Sequence, residues 1–224
     1  MTTAIIVAAG SSRRMGFDKL LAPLAGVPVL RRSITAFQDC ADVGDILVVA
    51  SEAATAAVAA WKAQGGLGKL RRILPGGAER HLSVWAGLNA CAPETSLVAV
   101  HDGARPLITP AQISRCIAAA REHAAAACAR PLTETVKRAD AEGRVTGSLN
   151  REGVWIMETP QVFQHALLVR AYETVMRERL LVTDEVSALQ HLGSPPVHLV
   201  KNDSPNPKIT FPEDLALAAK MLAL

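Results

Sequence analysis

Three short apolar runs, at residues 4–7, 45–50 and 97–100, and a short third-strand candidate at 70–74, are each followed by a loop and then by a stretch with helical spacing. No other feature of the chain limits its fold so strongly. The runs are short and mostly β-branched, as expected of strands buried on both faces. The helical stretches cover residues 28–38, 53–64, 80–90 and about 109–126. Pro28 and Pro110 suit first helical turns, Thr109 suits an N-cap, and Gly65-Gly66 suits a helix end. Strand and helix in strict alternation predict an α/β, Rossmann-like fold, a mostly parallel sheet with helices on both faces and working loops at the strands' carboxyl ends.

From Pro131 the rhythm changes. Residues 133–150 carry β-branched and charged side chains without a helical period, and Asp140-Ala141-Glu142-Gly143 supplies a turn, so a protruding hairpin is expected. A polar arm that cannot bury itself predicts a homodimer. A strand at 154–157, helices at 165–179 and 186–192, an apolar run at 197–200, a loop at 201–208 and a helix at 212–222 complete the reading, with Thr183-Asp184-Glu185 as a cap. At 224 residues the chain is expected to form one domain, 1–224, with an arm at about 133–153.

Composition narrows the partners. A formal charge of +3 and 4% aromatic residues argue against nucleic acid and leave small anions. Cys40, Cys91, Cys116 and Cys128 form no CxxC pair and read as buried thiols of a reducing compartment. No run is long enough for a membrane span or a signal-peptide core, so a cytoplasmic protein without a membrane partner is expected.

The chemistry-bearing residues fall in the loops. Residues 8–19, Ala-Ala-Gly-Ser-Ser-Arg-Arg-Met-Gly-Phe-Asp-Lys, follow the first strand with small residues and then cations. Gly10 permits close backbone approach, Ser11 and Ser12 offer donors, and Arg13, Arg14 and Lys19 offer positive charge, an order that suits a triphosphate. The stretch is neither a GxGxxG fingerprint nor a P-loop. Asp102, directly after a buried strand, is placed to hold Mg²⁺ against phosphate oxygens, and serves equally as a loop cap paired with Arg105. His101 reads as structural. Gly76-Gly77-Ala78-Glu79-Arg80 with Ser83 could bind a base edge or a phosphate, or be a plain turn into a helix. Lys137, Arg138, Arg151 and Lys208 read as anion contacts or as solvated charges.

Taken together these motifs resemble the 2-C-methyl-D-erythritol 4-phosphate cytidylyltransferase family over nearly the whole chain. The matching stretches are Ala-Ala-Gly with Arg-Arg-Met at 8–15, Gly-Gly-x-Glu-Arg at 76–80 with Ser83, and His-Asp-Gly-Ala-Arg-Pro at 101–106. They continue through Thr135-Val136-Lys137-Arg138, Asn150-Arg151, Trp155, Thr159-Pro160-Gln161 and Thr183-Asp184-Glu185 to Lys208-Ile209-Thr210 and the Pro-Glu-Asp-Leu at 212–215.

The resemblance implies a nucleotidyltransferase fold and transfer of CMP from CTP to methylerythritol phosphate, a sugar-alcohol phosphate, with release of pyrophosphate. It implies that Ala8, Ala9, Gly10, Ser11, Gly77, Ser83 and Gly103 bind the nucleotide and that Asp102 ligates Mg²⁺. Arg14 and Lys19 would stabilise the transition state, and Arg105, Thr135, Arg151 and Lys208 would contact the acceptor. Thr135 and Arg151 would reach from the arm into a partner's site. The run from Arg14 to Lys19 is shorter than usual for the family and lacks Pro before the lysine, as in molybdopterin nucleotidylyltransferases. Ala78 stands where an acidic residue is common, and Pro207 where a branched residue usually precedes the lysine. Rival readings are a cytidylyltransferase for ribitol 5-phosphate, one for the molybdenum cofactor, and a non-catalytic nucleotide-binding module.

Overall fold

The computed structural model describes residues 1–10, 16–193 and 195–223. The chain opens with β1 (Thr2–Ala8), a two-residue hairpin of β2 (Pro23–Leu24) and β3 (Val27–Pro28), and α1 (Val29–Asp39). It continues through β4 (Asp45–Ala50), α2 (Glu52–Ala63), β5 (Leu70–Pro75), α3 (Arg80–Leu88), β6 (Leu97–Asp102) and α4 (Pro110–His123). Next come β7 (Ala125–Pro131), β8 (Lys137–Ala139), β9 (Val145–Ser148), β10 (Trp155–Gln164) and α5 (His165–Glu178). The chain closes with α6 (Glu185–His191), β11 (His198–Lys201) and α7 (Pro212–Leu222).

Among the described residues the main sheet has seven strands in the order β11-β7-β10-β6-β1-β4-β5. β10 runs antiparallel to both neighbours, and every other pairing is parallel. The expected mostly parallel α/β sheet is therefore present. Alternation along β1 explains its unbroken apolar run. Ile6 packs with Leu30, Ile34 and Phe37 of α1 and with Ile113 and Ile117 of α4, while Ile5 belongs to a second cluster with Val84, Leu88, Leu168 and Tyr172. Each such side chain, fully buried, contributes about 1.5–3 kcal/mol. β1 sits at the reversal of strand order, with β4 and β5 on one side and β6 on the other, where open α/β sheets leave a crevice.

Two expectations need correction. The fourth helix does not continue to residue 126. It stops at His123, Ala124 turns into the left-handed region at φ 68°, and β7 begins at once. Residues 125–129, four alanines and Cys128, are completely buried. Alanine's helix propensity misleads here, because a strand paired on both sides needs small side chains between packed layers more than it needs β-branching. The strand expected at 154–157 is likewise only the start of β10, which runs on to Gln164 past a register shift between Met157 and Gln161. Pro160 lies inside that irregularity, where its missing N–H costs no ladder bond.

The hairpin at 133–150 is present as β8 and β9, paired antiparallel and largely exposed. Its turn is built as expected. Asp140 accepts from the N–H groups of Glu142 and Arg144, and Gly143 takes φ 80°. All four cysteines are free, three of them buried. No helix among the described residues is long and apolar enough to cross a membrane.

Candidate active site

The carboxyl ends of β1, β5 and β6, with the segment before α7, enclose a cleft of about 640 Å³, within the size range of small-molecule sites. Hydrogen bonds continuing past the strand ends hold its walls in line. Gly76 N–H donates to Ala50 O at 3.0 Å, Gly103 N–H to Val7 O at 2.9 Å, and Ile209 N–H to Ala104 O at 2.8 Å. Asp214 caps α7 by accepting from the N–H groups of Thr210 and Phe211, which fixes the strip carrying Lys208.

Two glycines do opposite work. A Cβ on Gly76 would lie 2.0 Å from the Cβ of Ala9, so the loops after β1 and β5 touch only because that atom is missing. Among the described residues, a Cβ on Gly10 would meet nothing within 4 Å. Gly76→Ala should therefore lower stability by about 1–3 kcal/mol, the usual cost of overpacking, while Gly10→Ala leaves the unfolding midpoint unchanged. Equal midpoints in a thermal melt would contradict this packing. Beside Gly76, Gly77 N–H donates to Ser83 Oγ at 3.0 Å, and the buried Ser83 ties this turn to the start of α3.

Asp102 is the electrostatic centre. Its Oδ1 accepts from Arg80 Nε at 3.0 Å, and its Oδ2 lies 3.0 Å from Lys208 Nζ and 3.6 Å from Arg105 Nε. Burial opposes its ionisation, but Arg80, Lys208 and Arg105 outweigh burial and hold the carboxyl far below the usual range. A relay fixes it from behind. Asp102 N–H donates to Thr159 Oγ at 3.1 Å, Thr159 Oγ lies 3.0 Å from His101 Nδ1, and His101 Nε2 lies 3.2 Å from Arg105 O. A carbonyl only accepts, so Nε2 carries the proton, Nδ1 accepts from Thr159, and the imidazole is neutral. Burial pushes its pKa down to about 3. His101 is structural, as expected, and holds both Asp102 and Arg105 in place.

Lys19 also lines the cleft, and its Nζ donates to Ile209 O at 2.7 Å, joining the opening loop to the Lys208 strip. Ala8, Ala9, Gly10, Gly77 and Ser83 line the same cleft with Asp102 and Lys208. Gly103 packs beneath them against Leu30 and Val7. Arg105 turns inward, where Nη1 donates to Asn206 O at 2.8 Å and Nη2 to Met157 O at 3.4 Å. Its Nε is buried without a hydrogen-bond partner. Thr135 and Arg151 are exposed by the hairpin and do not line the cleft, and Arg151 donates to Thr133 O. Ser11 and Arg14 lie outside the described residues.

The sequence favours a helix cap over a substrate contact for Asp184 and Glu185. Asp184 is the cap, accepting from Ser187 N–H at 2.9 Å. Glu185 does neither: fully buried, it takes Arg80 in a two-pronged grip, from Nη1 at 2.7 Å and Nη2 at 3.1 Å. Arg80 and Glu185 are 105 positions apart, and no local spacing connects them. The one available signal was a second acid beside a residue already sufficient as a cap.

No group of three or more His, Cys, Asp or Glu residues able to hold a metal exists among the described residues. A cleft lined by the carboxylates of Asp102 and Glu79 beside its cations suits Mg²⁺, which takes one or two carboxylates, keeps waters and draws its other ligands from substrate phosphates. It does not suit a zinc site.

The profile of the 2-C-methyl-D-erythritol 4-phosphate cytidylyltransferase family matches residues 2–223. A relative of that name from Symbiobacterium thermophilum is 39% identical over 223 residues, spanning 98% of this chain and 92% of its own. The crystal structure of 4-diphosphocytidyl-2C-methyl-D-erythritol synthase from Anaerococcus prevotii superposes with a TM-score of 0.88 at 28% identity, covering 100% of this chain and 96% of that one. The 2-C-methyl-D-erythritol 4-phosphate cytidylyltransferase of Thermus thermophilus gives 0.79 at 29% identity, with 98% of each chain covered.

Proposed function

The chain belongs to the 2-C-methyl-D-erythritol 4-phosphate cytidylyltransferase family, and we propose that its cleft transfers CMP from CTP to 2-C-methyl-D-erythritol 4-phosphate, releasing pyrophosphate. One observation carries the assignment of the site: Asp102 ends the buried strand β6 ringed by Lys208, Arg80 and Arg105, in the same cleft as Lys19.

In the proposed reaction an oxygen of the acceptor's phosphate attacks the α-phosphorus of CTP. A P–O bond forms there, the bond to the β-phosphate oxygen breaks, and that electron pair leaves with pyrophosphate. The nucleophile is already ionised at neutral pH, so no general base is required, consistent with a neutral His101 turned into the structure. Lys19 and Lys208, with Arg14, meet the charge that grows on the transferring and leaving oxygens. Asp102 would hold Mg²⁺, which when bound would neutralise phosphate charge and orient the chain of phosphates. Ala8, Ala9, Gly10, Ser11, Gly77, Ser83 and Gly103 would shape the nucleotide pocket, largely through backbone. Lys208 would face the acceptor, with Arg105 turned inward behind it onto the carbonyls of Asn206 and Met157.

Pyrophosphate release measured side by side with methylerythritol phosphate, ribitol 5-phosphate and molybdopterin, with Mg²⁺ present, should be fastest with the first. Turnover only with one of the others would reassign the acceptor, and none with any would reject the reaction.

We also assign a homodimer. Its support is the exposed β8–β9 hairpin, which carries a row of charges clear of its own cleft, with Thr135 before it and Arg151 after it. Thr135 and Arg151 would then complete the acceptor site of the second copy. Mixed Lys19→Ala and Arg151→Ala chains should recover about a quarter of wild-type activity, from the one intact site in each heterodimer. Heterodimers that stay inactive would count against shared sites. Four free thiols suit a reducing compartment, and the cytoplasm is the proposed location.

A further inference from the structure

Arg80 stands between two carboxylates that face different ways. Its Nε meets Asp102 at the cleft, while its two terminal nitrogens meet Glu185, which is fully buried and lies outside the cleft lining. Glu185 is held from three directions. Tyr172 Oη donates to its Oε1 at 3.0 Å, and Gln161 Oε1 accepts from the N–H groups of Glu185 and Val186 at 3.1 and 3.2 Å. Tyr172 is itself completely buried and stacked on Trp85 of α3, with ring centroids 6.4 Å apart. The proposed transfer gives none of these groups a chemical role.

Charge balance shows what they do. Around Asp102 stand Arg80, Arg105 and Lys208. Without a counter-charge on those cations, a carboxylate so surrounded would be a poor ligand for a divalent cation, since every nearby positive charge repels the ion and competes for its oxygens. Glu185 supplies the missing negative charge at the far end of Arg80, where it cannot itself reach a ligand in the cleft. We propose that Glu185 is a positioning residue for the cation site: by gripping and neutralising Arg80 it limits that arginine's hold on Asp102, leaving the carboxylate able to bind Mg²⁺. The inference rests on Asp102 being the metal-holding residue.

The test compares CTP affinity with Mg²⁺ and in EDTA by titration calorimetry, taking the ratio as the gain due to metal. In Glu185→Gln the grip survives in shape but loses its charge. CTP in EDTA should bind as tightly as to wild type or tighter, because the cleft is more positive, while the gain from Mg²⁺ falls roughly tenfold. A residue needed only for folding would weaken both titrations together. The pair Arg80→Gln/Glu185→Gln removes both charges and should bring the gain back to within about threefold of wild type. If Glu185→Gln does not fold, this double variant decides, and a gain reduced tenfold or more overturns the inference. An unchanged gain in Glu185→Gln, or a loss of affinity in EDTA, also overturns it. Asp102→Asn separates the premise: a gain retained there refutes Asp102 as the metal residue, whereas a gain lost there but intact in Glu185→Gln refutes only the role of Glu185.

Discussion

Asp102→Asn is expected to lower kcat by roughly three orders of magnitude, at the upper end of what one preorganised electrostatic group contributes. The amide keeps the shape of the carboxylate and can still accept from Arg80 Nε, so the loop after β6 should persist. What disappears is the negative charge that faces Lys208, Arg80 and Arg105 and that would hold Mg²⁺. Stability should fall by only about 1–3 kcal/mol, less than for a fully isolated buried pair, because Arg80 keeps Glu185 and Lys208 is partly solvated. Excess metal should not restore the rate. A variant within tenfold of wild type at ordinary Mg²⁺ would show that Asp102 is a loop cap and no more, the alternative that strand-end placement alone left open.

Lys19→Ala is the second large effect, roughly two to three orders of magnitude in kcat, with the KM for CTP changing less than tenfold. The split follows from where the charge is needed. A cation that meets charge growing on the leaving oxygens contributes in the transition state, whereas one that only attracts CTP raises KM and leaves kcat alone. Lys19 also bonds Ile209 O, beside Lys208, so its removal loosens the strip that brings the second lysine into the cleft. Lys19→Arg separates the contributions, since the fork keeps the charge but cannot reproduce one ammonium contact in the same space. A rise in KM with kcat preserved would make Lys19 a binding residue only.

Much of the framework was legible because local and global preferences agree. β4 and α7 begin and end where the apolar run at 45–50 and the Pro-led helix at 212–222 predict. Thr109 forms a capping box with Gln112, and the Asp140–Gly143 turn closes the hairpin. β7 was not legible, because alanines 125–127 and 129 satisfy a helix locally and only pairing with β10 and β11 makes them a strand. At the site, short motifs point to Asp102 and Lys208, since each sits in a distinctive loop. What they do not convey is that these two residues touch, or that Arg105 spends its terminal nitrogens on the carbonyls of Asn206 and Met157. Glu185 was the deepest omission, because its partner lies on another helix and burial of a carboxylate leaves no trace in spacing.

The most direct test of the site is a crystal structure of the protein with CTP and Mg²⁺. The prediction is a cation on the Asp102 carboxylate, cytosine between the loops at 8–10 and 76–83, and the α-phosphate within reach of Lys19 and Lys208. A nucleotide seated elsewhere, or a triphosphate in this cleft whose cation makes no contact with Asp102, would contradict it.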